Sequence, residues 1–284
     1  MSSRLFQFVV VVVAAFSLSC VRKNSTIPKE QIAALTEERA PAVIAIAAAD
    51  GDRYTLCSGA LVARNLVLTA RHCVSKALTS NPSCDAAGRS HNGAHVDKDL
   101  DPQDISIYEG PRVRPGLDAP LARGIRTLHP QGATLCDADV AYLVLDRPIY
   151  HLPVLPLRSH APVTEGDVVV PIGFGGGTAN AVGTRVPRKT SQVLATGPGA
   201  NARTGAVLGP REFEVESATC RGDSGGPAID ARSGEIVGVV SRGASCSALG
   251  NHVYTRVDAF QKLTALAFLQ ADRQMREAVA HRER

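Results

Sequence analysis

Residues 220–227 have the sequence Cys-Arg-Gly-Asp-Ser-Gly-Gly-Pro, and they are the most informative segment of the chain. Glycine adopts backbone conformations that other residues avoid and allows a second backbone to approach closely, so this segment is typical of a tight loop. Such a loop directs its own N–H groups, chiefly those of Gly222 and Ser224, at one point, where they suit an oxyanion. A lone Gly-Asp-Ser-Gly is more often an exposed turn, but the longer match, with Cys220 four residues before the serine, favours a nucleophile loop.

Two other segments carry the groups that a serine nucleophile requires. A serine hydroxyl is a weak nucleophile and needs a base, which a third group must hold in place. Residues 68–73, Leu-Thr-Ala-Arg-His-Cys, end a strand-like run at a histidine, and residues 137–145 open an apolar strand with aspartates. The sequence therefore predicts that Ser224, His72 and an aspartate act together, although more than one aspartate flanks this strand.

These segments resemble the chymotrypsin/trypsin family of serine endopeptidases, in which histidine, aspartate and serine follow one another in this order. The resemblance covers roughly residues 40–260 and includes Thr-Ala-x-His-Cys together with Gly-Asp-Ser-Gly-Gly-Pro. It implies that Ser224 attacks the scissile peptide bond, that His72 accepts the serine proton, and that Asp139 holds the imidazole.

The same resemblance selects the aspartate and the oxyanion hole. Asp137 and Asp146 are the competitors, but only Asp139 aligns with the family's Asp-x-Ala-x-Leu strand opening. The N–H groups of Gly222 and Ser224 correspond to the oxyanion donors of the family. This chemistry requires neither a metal nor another cofactor.

The resemblance also implies which residues bind the substrate. Ser241 and Gly243 belong to the strand that pairs its backbone with an extended substrate, and Arg242 between them replaces the usual tryptophan. Ala218 lies six residues before the serine, at the floor of the pocket for the P1 side chain, which precedes the scissile bond. Trypsin-like enzymes have an aspartate there, and without it a lysine or arginine side chain would be buried unpaired at a high desolvation cost.

The rest of this pocket predicts a preference for small or acidic P1 side chains. His252 aligns with a pocket wall that is commonly glycine in the family, where its side chain shortens the pocket and offers a donor or a positive charge. Thr219 is a candidate neighbour of this histidine, since glutamate-selective relatives combine a histidine with a nearby serine or threonine. The alternative is that His252 only packs against neighbouring strands and narrows the site.

The activation step of the family has no visible counterpart in this sequence. The family usually frees an Ile-Val-Gly-Gly type of N-terminus, whose amine pairs with the aspartate before the serine. Asp223 is present, but no such sequence follows an arginine or lysine within residues 21–45. Two alternatives stay open: the protein folds directly with Asp223 paired inside the chain, or it is activated by another route.

The chain has seven cysteines, and six of them form pairs that suit an exported protein. The resemblance implies one disulfide beside the histidine and another that ties the serine loop to the neighbouring strand, whereas the third pair is left by elimination. The predicted disulfides, in that order, are Cys57–Cys73, Cys220–Cys246 and Cys84–Cys136.

Residues 1–20 have the features of a signal peptide, because Arg4 precedes an apolar run that is too short for a comfortable membrane span. The odd cysteine, Cys20, ends this run and resembles the lipidation site of bacterial lipoproteins, which would tether the protein to a membrane. Residues 17–19, Ser-Leu-Ser, match such a site poorly, so cleavage nearby without lipidation is the alternative. We expect an exported protein, either secreted, periplasmic or an outer-membrane lipoprotein of a bacterium.

The predicted fold is all-β, with two packed six-stranded antiparallel β-barrels of the chymotrypsin type and a C-terminal α-helix. Short strand-like runs separated by turns indicate a barrel or a sandwich, and the resemblance selects the two barrels. Asp258 and Gln261 form a capping-box pattern at the start of the helix, which the family packs on its second barrel. The expected segments are a tether or short helix at 21–40, the protease domain at 41–257 with barrels at about 41–150 and 160–257, and a helix with a charged tail at 258–284.

Composition and charge narrow the function classes. Of 284 residues, 44% are hydrophobic and 20% are charged, which is normal for a globular protein and argues against bulk disorder. A net charge of +4, spread along the chain, gives no case for a nucleic-acid partner. The family resemblance, rather than composition, implies a serine endopeptidase that acts on proteins or peptides, and we expect a monomer. The alternatives are an inert binding protein with the protease fold, and an esterase or acyl transferase that uses the same site.

Overall fold

The computed structural model describes residues 27–50, 53–176, 182–216, 219–243, 246 and 250–282. Within these residues, two closed β-barrels follow one another along the chain, with one helix before them and one after. This arrangement confirms the predicted all-β architecture of two six-stranded antiparallel barrels with a C-terminal helix. The helices are α1, Lys29–Arg39, and α2, Gln261–Arg282.

The first barrel is built from the strands that precede residue 146. They are β1, Val43–Asp50; β2, Arg53–Ala63; β3, Leu66–Thr69; β4, Ser75–Ala77; β5, Val96–Asp99; β6, Ile105–Tyr108; β7, Ala122–Leu128; and β8, Ala141–Leu145. The barrel closes in the order β1-β2-β3-β8-β7-β6, and β4 and β5 form a separate ribbon. Because side chains alternate along a strand, Ile44 and Ile46 of β1 face the same apolar interior as Leu143 and Leu145 of β8.

The second barrel follows the connecting segment that ends near residue 167. Its strands are β9, Val168–Gly173; β10, Val186–Pro187; β11, Ser191–Thr196; β12, Gly199–Ala200; β13, Val207–Leu208; β14, Glu212–Val215; β15, Pro227–Asp230; β16, Ile236–Gly243; and β17, His252–Arg256. The order β9-β11-β14-β17-β16-β15 closes through pairing of β15 with β9, and β10 extends the sheet from β9. The stacked rings of Phe213 and Tyr254, with centroids 5.3 Å apart, lie in its apolar interior.

A shared apolar cluster joins the two barrels. Val43 and Tyr142 of the first barrel belong to the same buried cluster as Ile172, Phe174 and Val239 of the second. Burial of apolar surface is non-directional, so the shapes of the two faces determine how the barrels fit together. This contact brings the end of β3 close to the loop that precedes β15, although these segments are far apart in the sequence.

Helix α2 packs mainly against β3 and β8 of the first barrel, whereas the resemblance led us to expect the second. Asn65 Nδ2 donates a hydrogen bond of 2.9 Å to the Ala271 carbonyl. The hydroxyls of Tyr142 and Thr264 share a further hydrogen bond of 2.7 Å. Two polar contacts therefore fix the position of the helix on the outer face of the first barrel.

The predicted capping box at the start of this helix is not formed. Asp258 begins a 3₁₀ turn, residues 258–260, and α2 starts only after that turn. The Asp258 carboxylate pairs with the Arg256 guanidinium at 2.5 Å and makes no capping hydrogen bond to the helix. A nearby arginine has displaced the backbone N–H groups as the partner of this carboxylate.

Residues 29–39 form helix α1, which is one of the two alternatives that the sequence leaves open for this segment. Leu35 and Arg39 of α1 lie against Gly234 in the turn between β15 and β16, and Ile32 packs on the cluster shared by the barrels. No helix within the described residues is long and apolar enough to span a membrane.

Candidate active site

His72 lies in a short 3₁₀ turn, Arg71–Cys73, directly after strand β3. Strand β3 pairs with β2 on one side and with β8 on the other, so the turn leaves a fixed part of the first barrel. The disulfide between Cys57 and Cys73 ties the same turn to β2. The backbone that carries His72 is therefore held both by strand pairing and by a covalent link.

Asp139 contacts His72 through both carboxylate oxygens. His72 Nδ1 lies 2.8 Å from Asp139 Oδ2, and the His72 backbone N–H donates to Asp139 Oδ1 at 3.0 Å. Ser241 of strand β16 donates its hydroxyl to Asp139 Oδ2 at 2.7 Å. The aspartate is fully buried, and it is held by groups from both barrels. The sequence predicted a substrate-binding role for the Ser241 backbone and missed this side-chain contact.

These contacts shift the pKa values of both groups. Burial by itself lowers the pKa of His72, but the charge of Asp139 and its hydrogen bond outweigh burial and raise the pKa above its ordinary value of 6.5. Burial by itself raises the pKa of Asp139, but the charge and hydrogen bonds of His72, with the hydrogen bond of Ser241, lower it below its ordinary value. The pair is thus electrostatically suited to a negative aspartate that stabilises a protonated imidazole.

The two competing aspartates have other partners. Asp137 pairs with Arg211 at 2.7 Å, and burial raises the pKa of Asp137 despite this arginine. Asp146 pairs with Arg147 at 2.8 Å on the surface. Among the three aspartates considered from the sequence, Asp139 is the one that contacts His72.

The serine loop packs directly on the segment that leads to His72. The Ser224 carbonyl accepts a hydrogen bond of 2.7 Å from the Ser58 N–H, and the Gly225 N–H donates to the Val240 carbonyl at 2.9 Å. Gly225 has a positive φ of 75°, and a Cβ at this position would lie 2.8 Å from the backbone nitrogen of Ala70. Only glycine fits this close approach, which brings the serine next to the end of β3.

The Ser224 hydroxyl makes no hydrogen bond to His72 among the described residues. The structure therefore brings the segments of Ser224 and His72 together without joining their side chains. Hydrogen bonds of this type are often long in the absence of substrate and tighten only in the complex.

The N–H groups of Gly222 and Ser224 have no hydrogen-bond acceptor within the part of the chain that the structure describes, whereas those of Asp223 and Gly225 do. Gly222 has a φ of 102°, which favours glycine, and its carbonyl accepts a hydrogen bond of 2.8 Å from Ser58 Oγ. The carbonyl is thereby turned away from the loop's donor side. Two unpaired donors on one loop, separated by Asp223, are suited to bind an anionic oxygen.

Three of the predicted substrate-binding residues lie together. Thr219 Oγ1 and His252 Nδ1 are 2.7 Å apart and both side chains are buried. A Cβ on Gly243 would lie 2.9 Å from each of these two atoms, so the glycine backbone borders the same space. Ala218, predicted as the pocket floor, lies outside the described residues.

The edge of strand β16 near the serine is not covered by its neighbour. Strand β15 begins at Pro227, and its pairing with β16 extends only to Val239. Arg242 and Gly243 pair with β17 on the opposite side, after a register shift at Ser241. An extended peptide can therefore add to this edge as a further strand.

The structure contains the three predicted disulfides. The bond between Cys57 and Cys73 lies beside His72, and the bond between Cys220 and Cys246 links the serine loop to the segment after β16. The third bond connects Cys84 and Cys136. The odd cysteine, Cys20, and the predicted signal peptide lie outside the described residues.

Comparison with protein families gives a match to the trypsin family model over residues 33–264. The chain belongs to the trypsin family. Mannan-binding lectin serine protease 1 of Mus musculus is 28% identical over 232 residues, which are 74% of this chain and 32% of that protein. Trypsin of Saccharopolyspora erythraea is 25% identical over 236 residues, which are 78% of this chain and 89% of that protein.

A solved structure supports the same fold. Neuropsin, a serine protease expressed in the limbic system of mouse brain, superimposes with a TM-score of 0.57 at 16% identity. The match covers 81% of this chain and 96% of neuropsin. The chain thus spans 32% of the length of mannan-binding lectin serine protease 1. It spans 89% of the Saccharopolyspora erythraea trypsin and 96% of neuropsin.

One departure from the trypsin family concerns Asp223. The family pairs this aspartate with a free N-terminal amine, as the sequence comparison implied. Here Arg188, which follows β10, pairs with the Asp223 carboxylate at 2.7 Å. The structure therefore agrees with the first of the two alternatives left open by the sequence, in which Asp223 is paired inside the chain.

A second departure from the trypsin family concerns Arg242, which stands where tryptophan is usual. Its guanidinium binds both oxygens of Glu212, at 2.5 and 2.8 Å, and Glu212 is fully buried. Glu212 also accepts the Asp137 N–H at 2.9 Å, so this pair joins the two barrels beside Asp139. No local motif predicts this pairing, because Arg242, Glu212 and Asp137 lie on separate segments.

Proposed function

We propose that the protein is a serine endopeptidase that hydrolyses peptide bonds through His72, Asp139 and Ser224. The observation that carries the proposal is the hydrogen-bonded set of His72, Asp139 and Ser241 at the interface between the barrels, with the serine loop packed against it. Membership of the trypsin family supports protein or peptide substrates.

The chemistry follows from the roles of these groups. The Ser224 hydroxyl attacks the substrate carbonyl, and its proton passes to His72 Nε2 as the new carbon–oxygen bond forms. The negative charge that develops on the carbonyl oxygen is stabilised by the N–H groups of Gly222 and Ser224. Asp139 stabilises the imidazolium, which then gives its proton to the leaving amine. Water repeats the sequence on the acyl-enzyme and releases the acid product.

We further propose a P1 preference that is not trypsin-like. The chain has Ala218 at the position of the pocket floor, so a cationic side chain would have no carboxylate to pair with there. The buried contact between Thr219 and His252 supports a short pocket that takes small or acidic side chains. Cleavage of a peptide library by the purified protein tests this proposal. A strong preference for lysine or arginine at P1 would contradict it.

We also propose that the protein acts outside the cytoplasm. Three disulfides support an oxidising compartment, and members of the trypsin family are typically secreted. Whether Cys20 carries a lipid is tested by intact mass spectrometry of the membrane and soluble fractions. Lipidation predicts a mass increase that is abolished by Cys20→Ser. An unlipidated mature chain that begins after the apolar run would contradict membrane tethering.

Covalent labelling with a fluorophosphonate separates the protease from an inert binding protein. We expect the full chain to be labelled, and the label to be lost in Ser224→Ala because the nucleophile is absent. Hydrolysis of a matched peptide and ester pair then distinguishes an endopeptidase from an esterase or acyl transferase. If the wild-type chain is folded but neither labelled nor active on any peptide, the proposed function is wrong.

A further inference from the structure

We propose that Arg188 is a positioning residue that holds the serine loop in its oxyanion-binding shape, so that the protein needs no newly freed N-terminus. The inference rests on the proposed function and adds to it how the serine loop of this site is held in place. Arg188 belongs neither to the serine loop nor to the predicted substrate-binding residues.

The Asp223 carboxylate is buried and fully supplied with donors. Arg188 binds it in a bidentate manner, with Nε 2.9 Å from Oδ2 and Nη2 2.9 Å from Oδ1. The N–H groups of Gly175 and Cys220 donate to Oδ1 and Oδ2, each at 2.8 Å. Bidentate arginine–carboxylate pairs fix direction as well as distance, so the orientation of the carboxylate is determined.

The space around this pair leaves no room for a second cation. A Cβ on Gly175 would lie 2.6 Å from Asp223 Cγ, and one on Gly173 would lie 3.0 Å from the same atom. Arg188 Nη2 also donates to the Gly175 carbonyl at 2.5 Å, so the guanidinium bridges the β9 side and the serine loop. An N-terminal amine would have to displace the arginine to reach the carboxylate.

Asp223 transmits this fixed position to the oxyanion donors. Its own N–H donates to the Cys220 carbonyl at 3.0 Å, and its carbonyl accepts from the Gly226 N–H at 2.8 Å. Gly222 and Ser224, whose N–H groups have no acceptor among the described residues, are the two neighbours of Asp223 in the chain. The planar peptide unit between Asp223 and Ser224, which carries the Ser224 N–H, is fixed together with Asp223. The unit that carries the Gly222 N–H is held through the Arg221 carbonyl, which accepts a hydrogen bond of 3.0 Å from the Gly176 N–H.

Residues 29–39, the described helix ahead of the first barrel, are folded against the second barrel. Helix α1 precedes β1 and packs its Leu35 within 3.0 Å of the position that a Cβ on Gly234 would take, at the turn between β15 and β16. A chain freed near this helix would first have to lose that packing. The structure thus combines an internal cation for Asp223 with an upstream segment that is already folded.

One further ionisable group faces the pair. Burial, with the nearby charge of Asp223, raises the pKa of Tyr254 well above 10, although Arg188 opposes this, so the phenol stays neutral over the working range of a protease. A guanidinium also stays protonated throughout that range, whereas an ammonium group loses its proton at alkaline pH. In general, a guanidinium–carboxylate pair keeps both of its charges at alkaline pH, whereas an amine–carboxylate pair does not.

The experiment compares two substitutions of buried arginines in the full exported chain. Arg188→Met removes the cation of the serine loop, whereas Arg158→Met removes an equally buried arginine that binds Asp230 and Asp167 elsewhere in the second barrel. We expect Arg188→Met to lower kcat by about 10²- to 10³-fold, as for loss of an oxyanion donor. Arg158→Met serves as the matched control and leaves kcat close to that of the wild type.

A conservative substitution provides a second measurement, the dependence of kcat on pH. This dependence would not change if Arg188 only supported the fold. Arg188→Lys restores a positive charge at neutral pH, so kcat recovers most of the loss seen with methionine. At alkaline pH this lysine loses its proton, and kcat falls with a midpoint at about pH 10, close to the ordinary value for an ammonium. The wild-type protein shows no such decline over the same range.

Mass spectrometry of the fluorophosphonate-labelled protein tests the N-terminal side of the proposal. We expect the reactive species to retain residues 29–39, because activity does not depend on a cut ahead of β1. A preparation in which only chains cut between 39 and 43 react with the probe would overturn the inference.

The outcomes separate this inference from the proposed function. A wild-type chain without labelling or peptidase activity contradicts the proposed function itself. If the wild type is active and a folded Arg188→Met variant is equally active, the proposed protease function stands. The proposed role of Arg188 is then wrong. Should the methionine variant fail to fold, the lysine variant decides: an alkaline decline supports the role, and a profile identical to that of the wild type refutes it.

Discussion

The two barrels share one topology but differ in what is buried around them. The buried carboxylates of the first barrel, among the described residues, are Asp137 and Asp139, and both face the second barrel. Four carboxylates are buried around the second barrel, and each has its own donors. They are Glu212 with Arg242, Glu214 with Asn201, Asp223 with Arg188, and Asp230 with Arg158.

This difference indicates that the two barrels hold their parts of the site in different ways. The first barrel is a closed apolar shell that presents His72 from a short turn, and strand pairing, apolar packing and one disulfide hold its shape. The buried carboxylates of the second barrel hold its loops, through ion pairs at Glu212, Asp223 and Asp230 and through the neutral amide of Asn201 at Glu214. A buried charge without its partner is costly, so each pair restricts the loop to one arrangement.

Loss of the contact that crosses between the barrels has the largest expected effect. Asp139→Asn keeps the shape of the side chain but removes the charge that stabilises the His72 imidazolium and fixes its tautomer. We expect kcat to fall by about 10⁴-fold. Steady-state kinetics with a peptide substrate measure this change, and urea unfolding checks that the variant is folded. A variant that retains a tenth of the wild-type kcat would show that Asp139 does not have this role.

The second prediction tests the ion pairs of the second barrel. Glu212→Ala leaves the Arg242 guanidinium buried without its carboxylate, and we expect the free energy of unfolding to fall by about 3–5 kcal/mol. Urea denaturation measures this loss. Asp272→Ala, which breaks an exposed pair with Arg276, is the matched control and leaves stability unchanged. Equal effects of the two substitutions would show that the buried pair contributes no more to stability than an exposed one.

The third prediction tests the apolar shell of the first barrel. Ile107 is fully buried in its interior, and Ile107→Ala creates a cavity that lowers the free energy of unfolding by about 2–5 kcal/mol. Because the shell acts through its overall shape, we expect kcat of the folded variant to stay near the wild-type value. A folded variant with a large loss of kcat would show that the shell is coupled directly to the site.

The smallest effect concerns pH. His72 acts as a base only when neutral, and its pKa is raised above 6.5, so kcat/KM should fall on the acidic side with a midpoint above pH 6.5. The same shift means that protonated His72 stabilises the fold; this contribution is complete below pH 6.5 and is lost as pH rises through the higher folded-state pKa. NMR titration of His72 in Asp139→Asn should give a lower pKa. A wild-type midpoint at or below 6.5 would contradict the prediction.

Several features of the site could be predicted from local sequence. The glycines around Ser224 predicted the loop, because they act within a few positions of the serine. The pairings Cys57–Cys73 and Cys220–Cys246 were implied by the family resemblance, and the structure contains both. The start of helix α2 shows the limit of such patterns. Asp258 has the spacing of a helix N-cap, yet its carboxylate pairs with Arg256. A charged partner competes well with a backbone N–H for a carboxylate.

By itself, the sequence determined the segments that carry the histidine, aspartate and serine, because glycine loops and short motifs act over short distances and can be recognised in the chain. The resemblance carried by those segments, rather than cysteine spacing, implied the two-barrel fold and the disulfides at His72 and at the serine loop. Only the tertiary structure decided that Ser241 holds Asp139, that Arg242 binds Glu212 and that Arg188 holds Asp223. A charge attracts any opposite charge that folding brings near it, and packing of the whole domain determines which partner that is.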